Sequence, residues 1–402
     1  MNIPDDVSGR RVTNRGVHLH PFGFHNEWME EADYWVGLLQ SMHMSWVLAL
    51  SESDALYISG AAEALLDGGI IPIVRFKYRF PSRWTEMETT EQLVALYGLY
   101  NAPCIIQFAN EPFDPREWKD GEVPPKAEAW AIIRDRWNEA ADRITERGAI
   151  AGFPDGPSYD DNPFAIIGDE AHHWEEGRAV YLGHHYGKGR PLDFPEDDVS
   201  HYGTPLTMEE YRAALDDYAD DPAWNEGEHV LALMNEQRAE WADASLTPLD
   251  DDTCWRGWEK VLHWSRETFG FEVQMAMTEG GWVPRDRAGS GNLIDIRWPY
   301  TTPRMVAEKT LAMYEDDSPL FAICPWLLAD EDMGGSGWPF DAWHGWAYSD
   351  KYGRKKPVIQ TLQENPPPPP GPTNEWAEVL ALARELQGVI EKWCAGRGGS
   401  AD

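Results

Sequence analysis

Eight short apolar runs, rich in β-branched residues, recur along this chain, and most follow a stretch whose apolar residues have helical spacing. A strand buried on both faces and sheltered by helices reads this way, whereas a strand with one wet face alternates. The runs occupy 16–20, 45–50, 70–75, 104–110, 149–153, 179–184, 272–279 and 320–326. Asn26 is a good N-cap before a stripe of Trp28, Ala32, Trp35 and Leu39, and Gly68 and Gly69 stop the helix after the second run. A long helix covers about 126–147. Strand followed by helix, eight times, predicts an α/β fold, the (β/α)8 TIM barrel.

The spacing is uneven after strand 6, where an insertion over about 188–270 carries acidic clusters and aromatic residues such as Tyr211, Trp241 and Trp255. Placed there, it would form a lid or a wall of a cleft. The barrel is expected to occupy 1–364. A proline-rich linker follows at 365–373, and a C-terminal helix and tail at 374–402. Val379, Ala383, Leu386, Ile390 and Trp393 form one helical stripe, which either packs on its own domain or makes a homodimer with a second copy.

Composition narrows the partners. The chain has 402 residues, with 69 Asp and Glu against 34 Lys and Arg, a formal charge of −35. Such a surface repels phosphate backbones and anionic lipid, so neither nucleic acid nor membrane is an expected partner. No run approaches the roughly 20 apolar residues of a membrane span. The opening MNIPDDVSGR lacks the pattern of a secretory signal, so the expectation is a soluble protein, cytoplasmic or exported with its signal removed. Cys104, Cys254, Cys324 and Cys394 lie far apart and read as buried thiols rather than a zinc site or a disulfide framework.

In a barrel of this kind, chemistry sits at the C-terminal ends of the strands. Those ends offer His18 and His20, then Arg75, then Asn110 and Glu111, then His184, His185 and Tyr186, then Glu279, and finally Trp326. Two carboxylates therefore face each other across the ring, at strands 4 and 7. Inward-reaching side chains could bring them to about 5–5.5 Å, the separation of a retaining glycosidase pair.

Phe108-Ala-Asn110-Glu111-Pro112 at the fourth strand and Met277-Thr278-Glu279-Gly280 at the seventh resemble the signature of clan A glycoside hydrolases, retaining enzymes that include cellulases and mannanases. The resemblance covers roughly 14–364 and extends to the His184-His185-Tyr186 run and to Trp326. It implies a hydrolase of β-glycosidic bonds in a poly- or oligosaccharide, working by double displacement without metal or other cofactor. Glu111 would be the acid and base, and Glu279 the nucleophile. Asn110 would bond the sugar's 2-hydroxyl, and Trp326 would form the floor of the cleaved subsite. His184, Tyr186, Arg75, His20 and Trp282 would complete the carbohydrate contacts, with Arg79 nearly as good a candidate as Arg75 for the cation beside the nucleophile.

Each assignment has a plainer counterpart. The two glutamates could be solvated carboxylates at loop starts, and the barrel could bind glycan without cutting it. His18 and His20 also resemble the metal-binding start of amidohydrolase barrels, with His184 or His185 and Asp330 as further ligands, but no histidine or lysine ends strand 4 or 5. Trp28, Trp35, Trp137 and Trp264 sit at helical spacing and read as core. Trp338, Trp343 and Trp346 are core plugs or sugar platforms. The acidic runs at 196–198 and 250–252 read as solvated faces or helix caps.

Overall fold

A computed structural model describes residues 1–19, 32–51, 55–154, 161–168, 171–216, 227–251, 254–282, 295–299, 301–330, 344–345, 354–355 and 357–368. One compact unit spans Met1–Asn365. Its centre is a parallel sheet of seven strands: β1 (Gly16–His18), β2 (Trp46–Ser51), β3 (Ile71–Phe76), β4 (Ile105–Gln107), β5 (Ile150–Pro154), β6 (Ala179–Tyr186) and β7 (Met275–Gly281). Each strand pairs with its neighbours in sequence, as right-handed β-helix-β connections require.

The eighth run closes the ring without forming a regular strand. Ile323 bridges Met277 on one side and Arg15 on the other. Cys324 N donates to Met277 O at 2.7 Å, Ile323 N to Asn14 O at 2.8 Å, and His18 N to Pro325 O at 2.9 Å. Pro325 has no N–H to give, so the ladder cannot continue through it. The fold is a (β/α)8 barrel.

The strands are buried almost throughout, and helices cover them with apolar stripes. The helix Lys126–Thr145 shows the logic: Trp130, Ile133, Trp137, Ala141 and Ile144 fall three or four apart, and all are buried. Trp137 meets the rings of Phe108 and Phe153 at 6.1 and 5.0 Å, so truncating it to Ala should cost about 3–5 kcal/mol. Trp35 and Trp264 are likewise buried. Cys104, Cys254 and Cys324 are buried free thiols.

The stretch after β6 contains the helices Asp198–Tyr202, Met208–Ala214 and Gly227–Glu240. Tyr211, Leu215, Leu231 and Met234 give it a small core of its own. Both acidic runs do local work. Asp197 caps the first of these helices by accepting from Val199 N and Ser200 N, Asp250 closes a turn on Thr247, and Asp251 pairs with Arg190 at 2.7 Å. Among the described residues no helix is long and apolar enough to cross a membrane. The expected C-terminal helix, with Cys394, Trp28, Trp338, Trp343 and Trp346, lies outside the described residues.

Candidate active site

Four strand ends converge on one guanidinium. Arg75, in the last turn of pleat in β3, is 6% exposed. Its Nη1 donates to Asn110 Oδ1 just past β4 and lies 3.5 Å from Glu279 Oε2 on β7. Its Nη2 lies 3.3 Å from His18 Nε2 at the end of β1. A guanidinium has no acceptor, so the His18 nitrogen facing it carries the lone pair. Arg79, the alternative cation, is exposed and takes no part.

A bulge aims Glu279. Gly183 pairs with Met277, but the next residue, His184, pairs with Glu279, so Thr278 is the extra residue of β7. A bulge of this kind re-aims the side chains that follow it and bends the strand. Gly280 makes it sterically feasible: its φ is +132°, and a Cβ there would lie 2.0 Å from the His185 carbonyl oxygen.

The Glu279 carboxylate is held on three sides. Tyr186 donates its hydroxyl to Oε1 at 2.5 Å, while Oε2 faces Arg75 and His184 Nε2, the latter at 3.8 Å. Burial by itself would raise this carboxyl's pKa, but His184, Arg75 and the Tyr186 hydrogen bond reverse the sign and hold it below the ordinary glutamate value. Burial and the two nearby glutamates push the Tyr186 phenol well above its ordinary value, so it remains a donor.

Glu111 stands four residues beyond β4 and is 7% exposed. The turn that presents it is tied by Asp114 N to Glu111 O at 2.8 Å and by Trp118 Nε1 to Pro112 O at 2.9 Å. Its Oε1 lies 3.1 Å from His184 Nδ1 and its Oε2 3.7 Å from Arg116 Nη2. His184, fully enclosed, thus spans the two carboxyl groups with its two ring nitrogens. One donor or acceptor atom from each of Glu111, His184 and Glu279 lies within 4.8 Å of the other two. That is close to the spacing of a retaining pair and shorter than the roughly 6.5–9.5 Å that leaves room for a water between the groups.

Trp326 is half-buried. Its ring meets His18 edge-on, with centroids 4.5 Å apart, and its backbone N donates to Gly280 O at 3.0 Å. Of the residues expected at the site, the structure gathers Arg75, Asn110, Glu111, His184, Tyr186, Glu279 and Trp326 in one cluster, with His18 beside them. His20 lies outside the described residues, and so does the side chain of Asp330.

Trp282 departs from expectation. It is 2% exposed, its indole N–H donates to Arg190 O at 2.9 Å, and Gly187 leaves the gap its ring fills. With Trp255 and the Lys309 ammonium also against it, Trp282 is a buried plug behind the strand ends rather than a sugar contact. Burial lowers the Lys309 pKa to about 8, and its ammonium donates to the Gly189 and Arg190 carbonyls.

Three polar residues of the site escape a strand-end reading: Asp114, Arg116 and Glu117. Arg116 forks onto Asp114, and Asn110 Nδ2 donates to Glu117 Oε1 at 3.3 Å. Burial raises the Glu117 pKa against the opposing pull of Arg75 and Asn110. Their signal was Asp114-Pro115, an N-cap followed by proline, which starts the short 3-10 turn Pro115–Glu117 and folds the loop back.

No family model matches the chain, and no curated protein sequence does. Solved structures similar to it include an FMN-binding β-glucuronidase from Facaelibacterium prausnitzii, with TM-score 0.44 and 12% identity over 92% of this chain and 47% of that one. A β-glucuronidase from Parabacteroides merdae has TM-score 0.44 and 10% identity over 91% of this chain and 41% of the other. One from Bifidobacterium dentium, complexed with coumarin-3-O-glucuronide, has TM-score 0.44 and 13% identity over 89% and 47%. The chain thus spans about half the length of these structures.

Proposed function

We propose that this chain is a glycoside hydrolase that cleaves β-glycosidic bonds with retention of configuration. The reading rests on one observation: a buried glutamate just past β4 and a half-buried one on β7, bridged by His184, present oxygens within 4.8 Å of each other. Glu279 is the nucleophile, because Arg75 and Tyr186 favour its charged form. Glu111 protonates the leaving oxygen as the Glu279–C1 bond forms and the C1–oxygen bond breaks. The glycosyl ester removes the charge on Glu279, and Glu111, now ionised, takes a proton from the water that attacks C1. Asn110 Nδ2 gives one hydrogen to Glu117 and keeps a second for the sugar's 2-hydroxyl. Trp326 offers its half-exposed ring as a stacking floor.

A second reading is a metal site on Glu111, His184 and Glu279, a different set from the His18, His20 and Asp330 ligands of the amidohydrolase reading. Arg75 argues against it on charge, since its guanidinium lies against both Glu279 and His18. The discriminating experiment is a panel of soluble β-linked polysaccharides and aryl β-glycosides, with the first-formed anomer read by proton NMR, with and without a chelator. Retained β-product, insensitive to chelation, is expected. An inverted first product, chelator-sensitive turnover, or binding without turnover across the panel would overturn the proposal.

A further inference from the structure

A second cluster of metal-binding side chains lies at the other end of the barrel. Asp142 is in the last turn of the helix Lys126–Thr145, while His172 and His173 belong to the short helix Ala171–Glu175 that leads into the start of β6. His173 is 3% exposed and holds its Nε2 2.9 Å from Asp142 Oδ1. Asp142 and His172 are exposed, and the His172 ring lies over that of His173 with centroids 3.9 Å apart. One ligand atom from each of the three lies within 4.8 Å of the others.

We propose that Asp142, His172 and His173 form a binding site for a divalent transition metal of the zinc type. Two imidazoles and a carboxylate suit zinc, nickel or copper, whereas magnesium and calcium prefer oxygen alone. Tetrahedral ligands at about 2.0–2.1 Å from an ion stand about 3.3 Å from one another. The His173–Asp142 pair needs to open by less than about half an ångström to admit one.

His173 Nδ1 is buried with no hydrogen-bond partner. It carries the lone pair while Nε2–H donates to Asp142, and would carry the hydrogen when Nε2 binds metal. It is unpaired in both states, so this cost cancels. Two neighbouring arginines are engaged elsewhere: Arg143 on Glu139 and the Trp84 carbonyl, and Arg178 on Glu176. The formal charge of −35 favours a cation further. Such an ion would tie the end of one barrel helix to the segment entering β6, bracing the scaffold far from the glutamate pair.

The test is calorimetric titration of zinc chloride, with melting temperature as a second readout. Because Glu111, His184 and Glu279 also offer donors, it is run in a Glu279→Ala background. Expected is about one equivalent of zinc and a raised melting temperature, with weaker binding in acid, where protons compete for the ligands. Adding Asp142→Ala or His172→Ala should weaken binding at least about 10-fold. Both side chains are exposed, so these variants should fold. The absence of zinc binding in the Glu279→Ala protein, or binding that persists in both double variants, would overturn the site.

Discussion

The ends of β4 and β7 each present a glutamate, but they hold it differently. At β7 the carboxylate is locked by a tyrosine hydroxyl, an arginine and a histidine, all buried or half-buried. At β4 the carboxyl has His184 on one side and, on the other, Arg116, whose side chain is 69% exposed and already bidentate to Asp114. One carboxylate is held by three enclosed groups, and the other sits between an enclosed ring and a guanidinium open to solvent.

Breaking the β7 side should cost most. Glu279→Gln keeps shape and removes the nucleophile, so kcat should fall by about 10^4-fold or more while substrate affinity, measured calorimetrically, changes little. Undiminished turnover would show that the locked carboxylate is structural. Glu111→Gln should be gentler and conditional. With a sugar leaving group the loss should be about 10^2–10^4-fold, the usual contribution of general acid catalysis. With a dinitrophenyl leaving group, which departs without protonation, the first step should be nearly spared. Equal losses across a series of leaving groups would remove Glu111 as the acid.

How much of this asymmetry the sequence carried depends on how local each cause is. The strand runs and their end residues were readable because burial on both faces leaves a long apolar signature, and Asn110-Glu111 and Glu279 follow such runs directly. The eighth run read as a strand, yet only Ile323 bridges, since the missing N–H of Pro325 matters only once neighbours are in place. Trp282 stands among the carbohydrate contacts that the resemblance implies. Its burial depends on the gap at Gly187 and on Lys309, from distant parts of the chain. Glu117 was harder to place for a similar reason: Asp114-Pro115 marks its turn, but where the turn lands depends on Phe80 N bonding Glu117 O at 2.8 Å, a contact across more than thirty residues.

The lock on Glu279 can be loosened rather than removed. Tyr186→Phe deletes the 2.5 Å hydrogen bond and leaves the ring. Glu279 must be ionised to attack, and His184, Arg75 and Tyr186 hold its pKa below the ordinary glutamate value, so the acid limb of kcat/KM in the wild type should lie below the usual carboxylate range. A hydrogen bond to a charged group contributes about 1.5–3 kcal/mol, so the limb should move up by roughly one to two pH units in the variant. Stability should follow the same sign. A depressed carboxyl stabilises the fold above its unfolded pKa of about 4.3, and that contribution is lost as pH falls through the folded value. Acid unfolding of Tyr186→Phe should therefore differ less from its neutral-pH stability than that of the wild type. An unmoved acid limb would assign it to another group.

The smallest expected effect concerns the link between the two sides. Asn110 bridges them, accepting from Arg75 and donating to Glu117, so its amide is held with oxygen toward the guanidinium and nitrogen toward the carboxyl. If Glu117 were only a loop brace, Glu117→Ala would lower the melting temperature and slow all substrates alike. If it orients Asn110 toward the 2-hydroxyl, Glu117→Ala should reduce kcat about 3- to 10-fold on ordinary glycosides and hardly at all on 2-deoxy glycosides, on the scale of one hydrogen bond of about 1 kcal/mol. Glu117→Gln retains a carbonyl oxygen to accept from Asn110 and should stay near wild type. The ratio of the two substrates' rates, measured for all three proteins, separates positioning from bracing, because a loosened loop cannot tell one sugar hydroxyl from its absence.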